Sequence, residues 1–225
     1  ACKVFSWRVR YMVKYAENSD FYAKSGGVKT KKVANKLYLC FMSKPFVVGI
    51  CGGSGAGKTT LLKRLSETFQ NASTAVFSMD NYYLPIDQQT KDANGIVNFD
   101  LPTALDHQKL SSDLQTLISG QPIEVREYFF NVQGSKSVLL TIQPSDLIIV
   151  EGLFTLHYPN VYSQLDFSIF VDVDHATQLD RRIYRDQETR GYKRSEIIYQ
   201  WENHVLPCYQ QFIEPYRNNA HFVFC

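Results

Sequence analysis

Gly52-Gly53-Ser54-Gly55-Ala56-Gly57-Lys58-Thr59 fits the pattern G-x-x-x-x-G-K-[ST], and the rest of the chain can be organised around it. Before it runs Phe46-Val47-Val48-Gly49-Ile50-Cys51, an apolar, partly β-branched stretch of the length of a buried strand. After it, Leu61, Leu62, Leu65 and Phe69 fall on one stripe at helical spacing. Strand, glycine-rich turn and helix form the context in which this pattern binds phosphate. Glycines let successive backbone N–H groups approach phosphate oxygens as a nest, and the following helix turns its positive dipole end toward the same anion. In that geometry Lys58 reaches the β- and γ-phosphates as a point charge, and the Thr59 hydroxyl is a ligand for the Mg²⁺ that bridges them. The expected ligand is a nucleoside triphosphate.

Further along, Thr74 to Met79 reads as a second strand ending in Asp80, and Leu147 to Val150 as a buried strand ending in Glu151. Carboxylates at the C-terminal ends of parallel strands share an edge with the phosphate loop, where open α/β sheets place their ligands. There they can hold a metal, directly or through water, or take the proton of an acceptor hydroxyl. Leu105, Leu110, Leu114 and Leu117 mark a helix to about Ser119, closed by Gly120. Ile123 to Phe130 and Val138 to Ile142 flank Gln133-Gly134-Ser135-Lys136, which predicts an inserted β-hairpin. Phe167 to Val173 is a further strand, His175 to Thr189 a helix interrupted at Gly191, Ser195 to about Phe212 a helix tolerating or kinking at Pro207, and His221 to Phe224 a last strand. Strands alternating with helices predict an α/β fold with a parallel sheet and helices on both faces.

The stretch Asp180 to Arg194 is the densest basic segment beyond the phosphate loop. Arg182 and Arg185 are i,i+3 neighbours, and Gly191 follows Arg190 directly. It is expected to act as an arginine-rich lid that brings guanidinium groups over the phosphates and excludes water. Asp180, Asp186 and Glu188 interleave its arginines, which argues against nucleic-acid binding.

Composition sets the remaining bounds. With 225 residues and 44% hydrophobic content the chain suits one α/β domain with an appendage. No apolar run approaches the length of a membrane span, and five scattered cysteines (Cys2, Cys40, Cys51, Cys208, Cys225) without a C-x-x-C pair predict neither a disulfide framework nor a zinc site. A soluble protein of the reducing cytoplasm is the expectation. Charge is uneven: residues 1 to 41 carry a net +7, residues 42 to 225 a net −5. The two parts are therefore read as a basic N-terminal appendage (1–41) and a kinase-like domain (42–225), with Met42-Ser43-Lys44-Pro45 a natural beginning for the latter. The appendage reads as an upstream segment, an extra element docking on the domain, or a basic arm or targeting remnant.

Taken together, Gly52 to Thr60, Ser78-Met79-Asp80-Asn81-Tyr82-Tyr83, Asn98 to Asp106, Val150-Glu151-Gly152 and Arg181 to Gly191 resemble the uridine/cytidine kinase family, in order and spacing, from about residue 45 to the end. The resemblance implies a P-loop NTPase fold. It also implies phosphorylation of a nucleoside 5′-hydroxyl by ATP or GTP with Mg²⁺, in pyrimidine salvage and commonly in a homotetramer, with neither nucleic acid nor membrane as partner. It assigns Asp80 as general base near the metal, Thr59 and Glu151 as metal ligands, and Gly52, Gly53, Ser54, Gly55, Ala56, Gly57, Lys58, Thr59 and Thr60 with Arg185 and Arg190 to the phosphates. Asp100 holds ribose hydroxyls, Tyr83 lines the sugar site, and Arg182 with Gln200 belongs to the acceptor side. Two departures stand out. The family's Tyr-Asp-Phe followed closely by His is here Tyr128-Phe129-Phe130-Asn131 with no His, leaving Tyr128 and Asn131 to stack on and hydrogen-bond the base. The family's Arg-Gly-Arg is here Arg190-Gly191-Tyr192. Rival readings are a related kinase of pantothenate or a sugar phosphate, and a nucleotide-binding regulatory module that transfers no phosphate.

Overall fold

The computed structural model describes residues 44–69, 73–130 and 138–225. The N-terminal segment therefore lies outside the described residues, as do Asn131 and the predicted hairpin turn Gln133 to Lys136.

Strand β1 (Phe46–Gly52) is buried along its whole length, as an apolar run without alternation requires of a central parallel strand. It runs through the phosphate loop into helix α1 (Lys58–Thr68). Strand β2 (Thr74–Ser78) ends one residue before the sequence suggests, because Met79 already opens a 3₁₀ turn, Met79–Tyr82, whose N-cap Ser78 side chain accepts from the Asp80 N–H. Helix α2 (His107–Ile118) is capped by the Asp106 side chain, and Gly120 beyond it adopts φ 85 in the left-handed region that favours glycine. Next come β3 (Ile123–Arg126) and β4 (Leu139–Ile142), paired antiparallel as a two-stranded sheet of their own. The expected hairpin is present, with its first strand stopping at Arg126 rather than Phe130.

The remainder is β5 (Leu147–Glu151), the short α3 (Pro159–Tyr162), β6 (Phe167–Val171), α4 (His175–Arg190), α5 (Arg194–Gln200), α6 (Leu206–Cys208) and β7 (Phe222–Phe224). The helix expected from Ser195 to Phe212 accommodates Pro207 through π-helical segments on either side of α6, Trp201–Val205 and Tyr209–Ile213. Proline cannot supply an i to i−4 bond, and widening the turn is one way to absorb that loss.

The main sheet has the order β2-β5-β1-β6-β7 with every pairing parallel. β1 sorts its side chains to two cores. Val47 and Cys51 join Leu110, Leu114 and Leu117 of α2 and Tyr209 and Ile213 on one face, while Phe46, Val48 and Ile50 join Leu61, Leu62 and Leu65 of α1 on the other. Parallel pairing also brings the C-terminal ends of β1, β2 and β5 together: Ser78 and Ile50 are both in register with Glu151. The loop and both acids thereby come to one edge.

Candidate active site

The phosphate loop lies against the first turn of α4. Gly55 has φ 81, and a Cβ there would come 2.3 Å from the backbone oxygen of Gln178, so both conformation and space demand glycine. Gln178 is itself buried and held by its amide donating to Val173 O at 2.6 Å. It fixes the loop's depth, a role that no motif signalled. Lys58 is buried, and its ammonium donates to Gly53 O at 3.0 Å, curling back over the loop that precedes it. Thr59 and Thr60 open α1 with exposed side chains.

Asp80 and Glu151 stand at the ends of neighbouring strands β2 and β5. Burial pushes the Glu151 carboxyl up to about 7, with Lys58 opposing and Asp80 adding to the rise. Asp80 is also raised by burial; Lys58, Arg190 and Arg185 pull it down, and Asp100 pushes it up. Two partly desolvated carboxylates beside one ammonium make a place where a cation would relieve the burial of charge. Among the described residues no group of three or more His, Cys, Asp or Glu side chains gathers to hold a metal. Asp80, Glu151 and the Thr59 hydroxyl therefore fit a hard cation whose shell is completed by phosphate oxygens and water, not an all-protein cage.

On the acceptor side, four rings pack mutually. Tyr83, Phe99, Tyr128 and Phe130 have centroids 5.0 to 6.4 Å apart in edge-on or tilted contacts. Tyr83 and Tyr128 were expected here. Phe99 and Phe130 were not, although Phe99 adjoins Asp100 and Phe130 lies two residues after Tyr128. Tyr128 N–H reaches Asn81 Oδ1 at 3.4 Å, tying the end of the hairpin to the turn that carries Asp80. A cavity of about 630 Å³ along the free side of β2, under β4, is also lined by Asp80, Asn81 and Tyr128.

Asp100 is buried, with Arg182 Nη1 3.7 Å from its Oδ1 and Cys208 Sγ donating to its backbone oxygen. The loop leading to it is pinned by Asp92, whose Oδ2 meets the Tyr199 hydroxyl and His204 Nε2, each at 2.7 Å. Arg182 also donates to Ser54 Oγ at 2.9 Å and to Gln200 Oε1 at 3.2 Å, so it links the loop to the acceptor side. Arg185 lies along the same helix face, 3.5 Å from Ser54 Oγ, and the Arg190 guanidinium lies over the Phe130 ring at 4.2 Å. The basic stretch is helical through Arg190, as expected from His175 to Thr189. Gly191 caps α4 with φ 69, and α5 starts three residues later. Arg182 and Asp186 are buried and Arg185 and Arg190 turn toward Asp186, one of the acids that interleave the arginines, while Arg181 and Arg194 are exposed.

A five-stranded parallel sheet with a glycine-rich loop after β1, a buried lysine and strand-end carboxylates defines a P-loop phosphotransferase. The chain belongs to the phosphoribulokinase/uridine kinase family, whose model matches residues 47–225, and it is a kinase. Uridine kinase from Brevibacillus brevis is 36% identical over 179 residues, covering 80% of this chain and 84% of that protein. Among solved structures, a possible uridine kinase from Bacillus stearothermophilus matches 87% of this chain and 97% of its own, with TM-score 0.55 and 20% identity. Phosphoribulokinase from Rhodobacter spheroides matches 76% and 69%, with TM-score 0.54 and 16% identity, a likeness of fold. No helix among the described residues is long and apolar enough to cross a membrane.

Proposed function

We propose that this kinase transfers the terminal phosphoryl group of ATP or GTP to the 5′-hydroxyl of a pyrimidine nucleoside, uridine or cytidine. That it is a nucleoside kinase rests on its family and on relatives named uridine kinase. The observation that carries the finer reading is the meeting of two half-sites at Asp80: the phosphate loop with Lys58 and Glu151 on one side, the aromatic box and the Asp100–Arg182 pair on the other.

In this reading the acceptor O5′–H gives its proton to the Asp80 carboxylate while an O5′ lone pair attacks the γ-phosphorus. The bond from γ-phosphorus to the bridging oxygen breaks, leaving the nucleoside diphosphate. Lys58 steadies the β- and γ-phosphates, and Arg185 and Arg190 answer charge on the transferred group. Asp100, Arg182 and Gln200 orient the ribose, and the rings of Tyr83, Phe99, Tyr128 and Phe130 give the base apolar surface. Mg²⁺, for which Thr59, Asp80 and Glu151 supply the donors, would neutralise phosphate charge.

The test is a panel of uridine, cytidine, adenosine, guanosine, pantothenate and sugar phosphates incubated with ATP or GTP and Mg²⁺ and scored for product. Uridine and cytidine monophosphates are expected, with weak selectivity between acceptors. A box of rings with no histidine at residues 123–142 has few polar groups that a wrong base would leave unpaired. Product from pantothenate or a sugar phosphate alone would overturn the reading.

Glu151 adds a stability prediction. Its folded proton affinity lies above the ordinary value of 4.5, so the folded state binds more protons between there and about 7. The stability it contributes is fully present below about pH 4.5 and is lost as pH rises through about 7. Glu151→Gln removes that penalty. Without metal at pH 8 the variant should melt about 2–5 °C above wild type, with a flatter dependence on pH between 5 and 8, while Mg²⁺-dependent transfer falls by roughly 10². Melting curves in chelator across pH, paired with turnover, check both halves.

A further inference from the structure

Asp186 is fully buried in α4, and none of the roles above uses it. Its Oδ1 accepts from Arg185 Nε at 2.8 Å and lies 3.2 Å from Arg190 Nη1, while its Oδ2 faces Arg182 Nε at 3.3 Å. One carboxylate therefore serves three guanidinium groups, and the four side chains together carry an excess of two positive charges. Left to themselves, three cations this close would repel and swing out to water.

Each arginine spends one part of its planar fork on Asp186 and sends another part of the group to a different portion of the site. Arg182 goes on to Ser54 Oγ, Gln200 and Asp100; Arg185 Nη2 stands 3.5 Å from Ser54 Oγ; the Arg190 guanidinium lies against Phe130. The phosphate loop, the acceptor side and the aromatic box are thus tied to one carboxylate. Arg190 has the most to lose without it. Burial lowers its proton affinity, its neighbours Arg185 and Arg182 lower it further, and Asp186 and Asp80 act in the opposite sense.

We propose that Asp186 is a positioning residue: it holds Arg182, Arg185 and Arg190 in one preassembled cradle for the triphosphate, and it acts on transfer chiefly by keeping Arg190 between the acceptor rings and the phosphates. Asp100 beside Arg182 and Asp80 near Arg185 and Arg190 offset part of this excess, and a bound triphosphate adds further counter-charge. Asn has nearly the shape of Asp but brings an N–H₂ donor and no charge to a point where three donors converge. The proposal rests on the placement of Arg185 and Arg190 toward the phosphates in the preceding section.

The test is a double-mutant cycle in the full chain, with kcat and KM measured for Asp186→Asn, Arg190→Ala and the pair, and a melting temperature for each. Asp186→Asn should lower kcat by about 30-fold or more, and in the Arg190→Ala background it should cost less than about threefold further. An equal loss in both backgrounds would mean that the carboxylate does not work through Arg190, and the proposal would fall. A second measurement needs no variant to fold. In wild type without nucleotide, arginine side-chain NMR should give distinct, slowly exchanging Nε–H signals for Arg182 and Arg185 and a guanidinium of restricted rotation for Arg190, which meets Asp186 through Nη1. Averaged, rapidly exchanging signals would refute the cradle. If wild type phosphorylates no nucleoside, the acceptor reading fails, while the NMR result, which needs no turnover, still decides the role of Asp186.

Discussion

Lys58→Ala is expected to lower phosphoryl transfer by about 10³ or more while leaving the fold in place. The ammonium sits inside the glycine-rich loop on Gly53 O, with Asp80 and Glu151 close enough to feel its charge. In a loose transition state the charge spreads over the γ-phosphoryl oxygens, and a preorganised cation in a water-poor site acts on it far more strongly than one in solvent. Alanine offers nothing at that position. The folded state loses one charge-assisted bond to a carbonyl, worth roughly 1.5–3 kcal/mol, but also sheds the cost of burying the charge, so the melting temperature should move by only a few degrees. Turnover within tenfold of wild type would mean that phosphate is bound elsewhere.

For Asp80→Asn the expectation is transfer down by roughly 10² or more, with donor binding within about tenfold of wild type. The amide preserves volume and can still accept a hydrogen bond, but it takes no proton. Burial raises the Asp80 carboxyl against three neighbouring cations, which makes its ionised form a better base than an exposed aspartate. The wild-type rate should therefore rise with pH along an acid limb that reports this ionisation, and the limb should vanish in Asp80→Asn. An unchanged pH profile would remove Asp80 from the role of base.

What could be read in the sequence divides along physical lines. The phosphate loop, β1 and α1 are local: a few residues at fixed spacing dictate a turn that only glycine tolerates, as Gly55 against Gln178 illustrates. The two acids were legible too, because Asp80 and Glu151 follow apolar runs closely, although β2 stops at Ser78 and β3 at Arg126, short of where the pattern ends them. Long-range convergence was not. That Asp186 faces inward depends on where α4 packs, and its i,i+4 spacing to Arg190 looks the same on a solvated helix. Phe99 and Phe130 come from segments about 30 residues apart that meet only once the hairpin is folded over the β2 end, and no periodicity announces such a meeting. At Pro207 the expectation of a helix that tolerates the proline held, while the means, two widened turns on either side of it, carried no sequence signal.

The hairpin β3–β4 belongs to its own sheet, outside the hydrogen-bonded ladder that carries the loop and the acids. Its rings reach the site from a platform that shares no backbone pairing with the strands whose ends carry the chemistry. The strand ends set the positions of the reacting groups, whereas the rings shape the surface offered to the acceptor. A library randomised at Tyr128, at the end of the hairpin, and at Phe99, which faces it from the loop before Asp100, is therefore the place to search for new acceptors, with Phe130 kept in place under Arg190.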